Sequence, residues 1–351
     1  MPNLLYFSCH ETLERYECQI FSELGFNVFS CGHYLIPQQP IHSTLPPLDL
    51  GDGNRELLEI FRKYHKNEER KIIQNLSNAH KPEKVEYLFF LNKNFLDKFD
   101  IVVCDHFFFN IVNNFDKSDL SKKFFVYRTV TQPIQSIHPW TKKIKIVFMS
   151  PKERFLHGIK PDAIIRQCVC ESEYKDWIGK TDIVLTVNKW MKKRGAFAAW
   201  REYKYVTRNF NRLLVGFSNE DVPWAMECSP EDLQSLRQIS GCYFSCVSKP
   251  STITYTFIES LMTGIPVVSI GEEIGNMFCL PSFEVQDFIK NGENGFISSN
   301  LDELSDYIRL ILTDRKLADS ISKKGRETAI ENFSIKIARE QWKNFFGRYY
   351  G

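Results

Sequence analysis

The stretch STITYTFIESLMTGIPVVSIG, residues 251–271, decides the fold of this chain. It opens on small polar residues, and the apolar side chains of Phe257, Ile258, Leu261 and Met262 then recur at helical spacing, which predicts a helix with one buried face. The sequence Gly-Ile-Pro ends that helix, and the apolar run VVSI after it is typical of a strand buried on both faces. A loop, a helix, a turn and a buried strand in this order indicate an α/β domain with a parallel sheet.

The same alternation of strands and helices extends through both halves of the chain. Strands are predicted at residues 3–9, 26–31, 100–104, 124–127, 144–149, 182–187, 212–217, 242–247 and 265–270. Helices are predicted at residues 56–75 and 86–97, after a cap at Asn300, and from about Ser334 to Phe346. This pattern predicts two doubly wound α/β domains, residues 1–165 and 166–334, followed by a C-terminal helix in residues 335–351.

Length and composition limit the class of protein. A chain of 351 residues with 43% hydrophobic and 25% charged residues is typical of a globular protein of two domains. A net charge of +2 argues against a general nucleic-acid binder. The ten cysteines lack the spacing of a zinc site, which favours free thiols and a reducing, cytoplasmic location. No apolar run is long enough for a transmembrane segment, and peripheral membrane contact stays open.

The order of parts from residue 251 to residue 341 resembles the donor-binding half of family 4 glycosyltransferases. The resemblance covers residues 182–346 well and the first half of the chain in architecture alone. It implies the GT-B fold, in which two Rossmann-like domains face an interdomain cleft and the last helix crosses back to the first domain.

Glu259 is the centre of the predicted donor site. Backbone N–H groups near Thr254, Tyr255 and Thr256 lie at the predicted helix start, where the helix dipole favours the phosphates of a nucleotide. Glu259 is about one turn, roughly 5.4 Å, further along, which suits hydrogen bonds to a ribose. The resemblance places the ribose-binding Glu of the family at this position.

Ser251 marks a departure from the family pattern. The family usually has an acidic residue eight positions before the ribose-binding Glu, where it helps to hold the transferred sugar, and this chain has Ser251 there. The departure leaves the donor sugar, and activity itself, open.

The segment TVNKWMKKRGAF, residues 186–197, is a second signal. By position, Lys189 and Arg194 match the two cations that the family places after a strand and before a glycine, where they act on the diphosphate of the donor. Such fixed cations stabilise the negative charge that develops on a departing diphosphate. Lys192 and Lys193 fit a solvated basic loop better.

The first half offers weaker candidates for the sugar or acceptor side. Asp105 and His106 follow a predicted strand, where open α/β sheets bind ligands, and the family often carries a His-containing loop there. His106 is therefore also a catalytic candidate. Arg128 follows the next strand, and His10 lies in the first loop between strand and helix.

The resemblance implies a retaining glycosyltransferase that moves a sugar from a nucleoside-diphosphate sugar, of UDP or GDP type, to a hydroxyl of a glycan or glycolipid-type acceptor. It implies no metal and no further cofactor. Two alternatives stay open: a non-catalytic nucleotide-sugar-binding protein and a nucleotide-sugar epimerase. The base, the sugar and the acceptor cannot be read from the sequence.

Overall fold

The computed structural model describes residues 1–8, 10–32, 50–65, 90–105, 109–129 and 142–351. The chain divides into two compact units. Unit 1 contains Met1–Met149, Ile159–Arg166 and Ala338–Gly351, and unit 2 contains Ser150–Gly158 and Gln167–Ile337. The segment 150–158, predicted within the first domain, thus belongs to unit 2.

Unit 1 is built on a parallel sheet with the strand order β2-β1-β3-β4-β5-β6. Its strands are β1 Asn3–Phe7, β2 Asn27–Cys31, β3 Ile101–Asp105, β4 Phe124–Arg128, β5 Lys145–Phe148 and β6 Ala163–Ile164. Its described helices are Glu11–Glu23, Asp52–Tyr64, Lys93–Leu96 and Phe109–Asn114. The strands are almost entirely apolar and buried because helices cover both faces of a parallel sheet.

Unit 2 repeats this architecture with the strand order β12-β11-β10-β7-β8-β9, again all parallel. Its strands are β7 Val184–Val187, β8 Arg212–Val215, β9 Ala225–Met226, β10 Cys242–Ser245, β11 Val267–Ile270 and β12 Phe296–Ser298. Its helices are Glu153–His157, Met191–Arg194, Trp200–Val206, Pro230–Ile239, Tyr255–Thr263, Glu272–Gly275, Leu301–Thr313 and Arg315–Phe333. Two parallel α/β sheets confirm the predicted fold class.

The last helix, Ile335–Tyr349, begins in unit 2, and most of it belongs to unit 1. Trp342 is fully buried, and its ring meets that of Phe21 edge-on at 4.9 Å between centroids. The ring of Phe346 packs against that of Phe26, with 4.8 Å between the two centroids. The resemblance implies that the last helix returns to the first domain. The part of this helix that belongs to unit 1 is held there by aromatic side chains, which bury a large apolar area.

Every strand predicted from the sequence is present, and each of its ends coincides with the predicted one or differs by one or two residues. The strands β6, β9 and β12 were missed because two or three residues give no periodicity to detect. The predicted helix 86–97 is wrong over residues 90–92, which precede a short helix capped by Asn92. Residues 66–89, which include the ends of two predicted helices, lie outside the described part of the chain.

Among the described residues, no helix combines the length and the apolar composition that crossing a bilayer requires.

Candidate functional site

The second sheet has a topological switch point between β7 and β10. The chain starts at β7, adds β8 and β9 on one side, and then returns to place β10, β11 and β12 on the other. Loops that leave such neighbouring strands in opposite directions open a crevice at the carboxyl edge of the sheet. Lys189 and Arg194 follow β7, and Ser251 lies in the loop that joins β10 to the helix Tyr255–Thr263. The predicted donor residues thus follow the two strands at the switch point.

Arg194 joins the two loops at this point. Its Nη1 donates to Oγ of Ser248 at 2.7 Å and to Oδ1 of Asn188 at 3.5 Å, and its Nη2 donates to the carbonyl oxygen of Lys249 at 2.9 Å. The side chain is half-buried, and this burial lowers the pKa of the guanidinium from its usual value. A guanidinium has five N–H donors, so these contacts with described residues leave donors for an anion.

Two asparagines that the sequence reasoning missed hold the loop after β7. Asn188 donates from Nδ2 to the carbonyl oxygen of Val247 at 3.0 Å. Asn219 donates from Nδ2 to the carbonyl oxygen of Asn188 at 2.8 Å, and its Oδ1 accepts from the N–H of Met191 at 2.9 Å. Gly216 has φ +145°, and a Cβ there would overlap the carbonyl oxygen of Asn188. A polar residue directly after a predicted strand was the available signal for Asn188.

Lys189 lies beside a different loop from Arg194. Its side chain is exposed, with Nζ 4.4 Å from the centroid of the Phe217 ring in the loop after β8. The ring of Trp190 lies nearly perpendicular to the same ring, with 4.8 Å between the two centroids. The two predicted cations therefore follow one strand but contact separate neighbours, and Lys189 keeps the more open environment.

The helix Tyr255–Thr263 begins as predicted. Thr254 is its N-cap, and the Thr254 Oγ1 accepts from the N–H of Phe257 at 3.3 Å. The Thr254 and Thr256 hydroxyls are 3.0 Å apart, and the side chain of Tyr255 is buried. The first-turn N–H groups of a helix have no partner within the helix, so the amides of residues 255 and 256 are placed for an anion.

Glu259 lies one turn further on and is tied to a neighbouring helix. Its Oε2 accepts from Nη2 of Arg237, which lies on the helix Pro230–Ile239. Its Oε1 accepts from the hydroxyl of Tyr174 at 3.3 Å. The side chain of Glu259 is 17% exposed and that of Arg237 is 3% exposed. Glu259 is therefore not the solvated carboxylate that its sequence position alone would give.

Arg237 and Tyr174 were missed by the sequence reasoning. Arg237 is four residues after Leu233, so the two side chains lie on the same face of the helix Pro230–Ile239, which turns towards the protein interior. Of the residues of this helix, Arg237 alone is buried. An arginine at such a position signals a buried partner of opposite charge. Tyr174 gives no comparable signal, because it lies in an irregular segment.

Ser251 has a local hydrogen bond. Its Oγ donates to the carbonyl oxygen of Ile253 at 2.6 Å, and its N–H donates to the carbonyl oxygen of Ser248 at 2.9 Å. The hydroxyl thus stabilises the turn into the Thr254 cap.

The first sheet has its own switch point, between β1 and β3, and two predicted residues meet there. Ser8 donates from Oγ to Oδ2 of Asp105 at 2.9 Å, and the N–H of His10 donates to Oγ of Ser8 at 3.2 Å. His10 is also the N-cap of the helix Glu11–Glu23, because its Nδ1 accepts from the N–H of Leu13 at 3.5 Å. Ser8 therefore brings His10 and Asp105 into one polar cluster.

Arg128, predicted near a ligand, is fully buried within unit 1. Its Nε donates to Oε1 of Glu17 at 2.7 Å, and its other nitrogens donate to the carbonyl oxygens of Phe148 and Arg166. The guanidinium also lies 5.4 Å from the ring of Trp342. These contacts leave Arg128 no exposed surface for a ligand and give it a structural position instead. His106 lies outside the described residues.

Within the described ranges, no group of three or more His, Cys, Asp or Glu side chains is arranged to hold a metal ion.

Comparison with known proteins bears on the fold. No protein-family model matches the sequence, and neither does any curated protein. Among solved structures, the chain is similar to sucrose-phosphate synthase from Thermosynechococcus elongatus, with a TM-score of 0.62, 13% identity and 99% of each chain covered. It is also similar to a glycosyltransferase from Rickettsia africae, with a TM-score of 0.62, 16% identity, and 99% of this chain and 98% of that one covered.

A third similar structure is HepE from Anabaena in complex with UDP-glucose, with a TM-score of 0.61, 10% identity, and 99% of this chain and all of that one covered. The chain has the GT-B fold. At these identities the likeness to GT-B glycosyltransferases establishes architecture, so the chemistry has to be argued from the residues of this GT-B chain.

Proposed function

We propose that this GT-B protein is a retaining glycosyltransferase that moves a sugar from a nucleoside-diphosphate sugar to a hydroxyl of a glycan or glycolipid-type acceptor. One observation carries the proposal. At the switch point of the second sheet, Arg194 binds Ser248 and Lys249, and this same loop runs on to the helix capped by Thr254. A cation that is hydrogen-bonded to the loop leading into a helix start suits an anionic ligand.

The donor diphosphate is proposed to bind at the start of the helix Tyr255–Thr263, with the N–H groups of residues 255 and 256 and the hydroxyls of Thr254 and Thr256 as donors. Arg194 and Lys189 supply positive charge. Glu259, one turn along, accepts hydrogen bonds from the ribose. HepE, which shares the fold, was solved with UDP-glucose, and this supports a donor of UDP type.

In the proposed reaction, the bond from the anomeric carbon of the donor sugar to the phosphate oxygen breaks as the bond to the acceptor oxygen forms on the same face. The acceptor proton passes to the departing phosphate oxygen. Negative charge therefore builds on the diphosphate, and Arg194, Lys189 and the helix start stabilise it through fixed dipoles and charges. We propose that this set of groups acts without a metal ion.

For the acceptor we propose His10, with the carboxylate of Asp105, which is itself buried, supporting it through Ser8 at the carboxyl edge of the first sheet. The backbone position of His10 is fixed by its role as a helix cap, so its imidazole is presented from a rigid support. His106 stays a prediction, and the buried ion pair of Arg128 removes that residue from the proposed site.

A second candidate function rests on Ser251. The hydroxyl at this position is bonded to the carbonyl oxygen of Ile253 and carries no charge for a donor sugar. A GT-B protein that binds a nucleotide sugar without turning it over would fit this substitution.

The test combines binding and turnover. Thermal unfolding is measured with UDP, GDP, ADP, CMP and dTDP, and the sugar nucleotides of each stabilising base are then incubated with a panel of glycan acceptors. Stabilisation by one nucleotide with sugar transfer supports the transferase. Stabilisation without turnover supports the binding protein, interconversion of free sugar nucleotides indicates an epimerase, and stabilisation by none overturns the donor site.

A further inference from the structure

We propose that Arg237, together with Tyr174, is a positioning residue for the nucleotide ribose, because the pair holds the carboxylate of Glu259 in the orientation that binds the ribose hydroxyls. The inference rests on the proposed donor site and assigns a role to two residues outside the loops that form it.

The first argument is the burial of Arg237. Its side chain is 3% exposed, and it is the buried residue of the helix Pro230–Ile239. Taking a guanidinium out of water has a large free-energy cost unless an anion and further hydrogen bonds compensate for it. The anion is Glu259, which accepts from Nη2 of Arg237. A charged pair between two helices at this depth fixes their side chains more strictly than two exposed charges would.

The second argument is the way in which the carboxylate is shared. Arg237 binds Oε2 of Glu259, and the hydroxyl of Tyr174 donates to Oε1 at 3.3 Å. Each carboxylate oxygen therefore has one fixed donor, and a carboxylate has about four acceptor sites in total. The remaining acceptor capacity, on a side chain that is 17% exposed, is what two vicinal hydroxyls of a ribose require.

The third argument is the rigidity of the support. Arg237 lies on the helix Pro230–Ile239 and Glu259 on the helix Tyr255–Thr263, while Tyr174 lies in a separate segment of the chain. A glutamate freed from these partners regains several rotamers, and ordering it again opposes ligand binding. Arg237 therefore affects ribose binding without touching the nucleotide, while the phosphate contacts of the site remain unaffected.

The experiment exploits this difference between ribose and phosphate. Dissociation constants of UDP, GDP and ADP and of their 2′-deoxy counterparts are measured by calorimetry for the wild type, Arg237→Gln, Arg237→Lys and Glu259→Gln. Arg237→Gln should weaken the ribonucleotide that the wild type prefers by about tenfold, the effect of losing one hydrogen bond to a charged group. The same change should weaken the 2′-deoxy form far less. Arg237→Lys, which keeps the charge, should recover part of the loss.

Controls separate positioning from folding. Arg309→Gln removes an exposed arginine that also pairs with a carboxylate, and it should leave every dissociation constant unchanged. If Arg237→Gln does not fold, Tyr174→Phe, which removes a single hydroxyl, takes its place and should again weaken the ribonucleotide selectively.

The outcomes distinguish the two proposals. If the wild type binds none of these six nucleotides and neither CMP nor dTDP, the proposed function and the positioning role both fall. If it binds one, but the Arg237 or Tyr174 variant changes the ribonucleotide and 2′-deoxy affinities equally or not at all, the positioning role alone is overturned.

Discussion

Arg237 donates from Nη2 to Oε2 of Glu259, and this contact joins two helices of the second unit through a pair of largely buried charges. The residue predicted to bind ribose is thereby also part of the packing of the domain. Stability and nucleotide binding consequently depend on one side chain, and variants of Glu259 have to be chosen with this in mind.

Glu259→Ala should destabilise the protein as well as weaken nucleotide binding. From its sequence position, Glu259 would be expected to tolerate truncation with little loss of fold. The structure changes that expectation, because removing one partner of a buried pair leaves Arg237 uncompensated and costs on the order of 3 kcal/mol. Urea unfolding measures the change. Glu259→Gln, which keeps a hydrogen-bond acceptor, should retain more stability, and equal stability of the alanine variant and the wild type would contradict the argument.

Arg194→Ala should lower kcat by about 100-fold and nucleotide affinity by much less, because the cation acts on charge that develops in the transition state. Steady-state kinetics with the sugar nucleotide identified by thermal unfolding measures both quantities. Lys193 is the neighbouring residue and is exposed, so Lys193→Ala is the matched control. Its kcat and nucleotide affinity should stay within about twofold of the wild-type values. Survival of both turnover and affinity in Arg194→Ala would remove this residue from the diphosphate site.

Gly216→Ala should disturb the loop that carries Lys189. Gly216 has φ +145°, a region that only glycine adopts readily, and an added Cβ would overlap the carbonyl oxygen of Asn188. We expect a loss of roughly 3 kcal/mol in unfolding free energy and a raised KM for the donor. Gly158→Ala is the control, because its φ of +67° and ψ of 15° lie in the left-handed helical region and a Cβ there meets open space, so it should cost about 1 kcal/mol. Equal effects of the two substitutions would show that the overlap with Asn188 is relieved.

Arg128→Met should destabilise unit 1 by about 3–5 kcal/mol, because it leaves Glu17 buried without its cation. Burial raises the pKa of the Glu17 carboxyl, and Arg128 opposes that rise. A raised pKa in the folded state means that this carboxyl favours folding below its unfolded pKa, about 4.3, and that the contribution is lost as the pH rises through the folded pKa. Removing Arg128 raises the folded pKa further.

The stability deficit of Arg128→Met relative to the wild type should therefore widen between pH 5 and pH 8, as measured by urea unfolding at both values. The double variant Arg128→Met, Glu17→Gln removes the charge altogether and should show a smaller and pH-independent deficit. A deficit for the single variant that does not change with pH would contradict the assigned role of Glu17.

Much of the fold could be predicted because its signals are local. Residues 265–270 and 242–247 contain runs of apolar residues that indicate buried strands, and Thr254 and Gly264 mark the two ends of a helix by residue type alone. Short edge strands such as Ala225–Met226 escaped prediction because two residues cannot display a period.

The candidate site could be predicted in part. Glu259, Arg194 and Lys189 were predicted to bind the donor because each lies a few residues from a predicted strand end or helix start and matches the family pattern by position, and their role stays a prediction. Arg128 satisfied the same rule, yet it lies buried beside Glu17, which is 111 residues away in sequence. Position along a strand indicates the sheet edge, and it does not determine the direction of a long side chain.

The sequence by itself determined the order of most strands and helices, the start of a helix near Thr254 and the set of charged residues at the strand ends, since these follow from neighbours within a few positions. The tertiary structure alone decided which charges pair. Arg237 reaches Glu259 across 22 residues and Tyr174 reaches it across 85, so these contacts exist only once the helices have packed. Electrostatic and hydrogen-bond energies depend on distances in space, and these distances cannot be read from the separation of two residues along the chain.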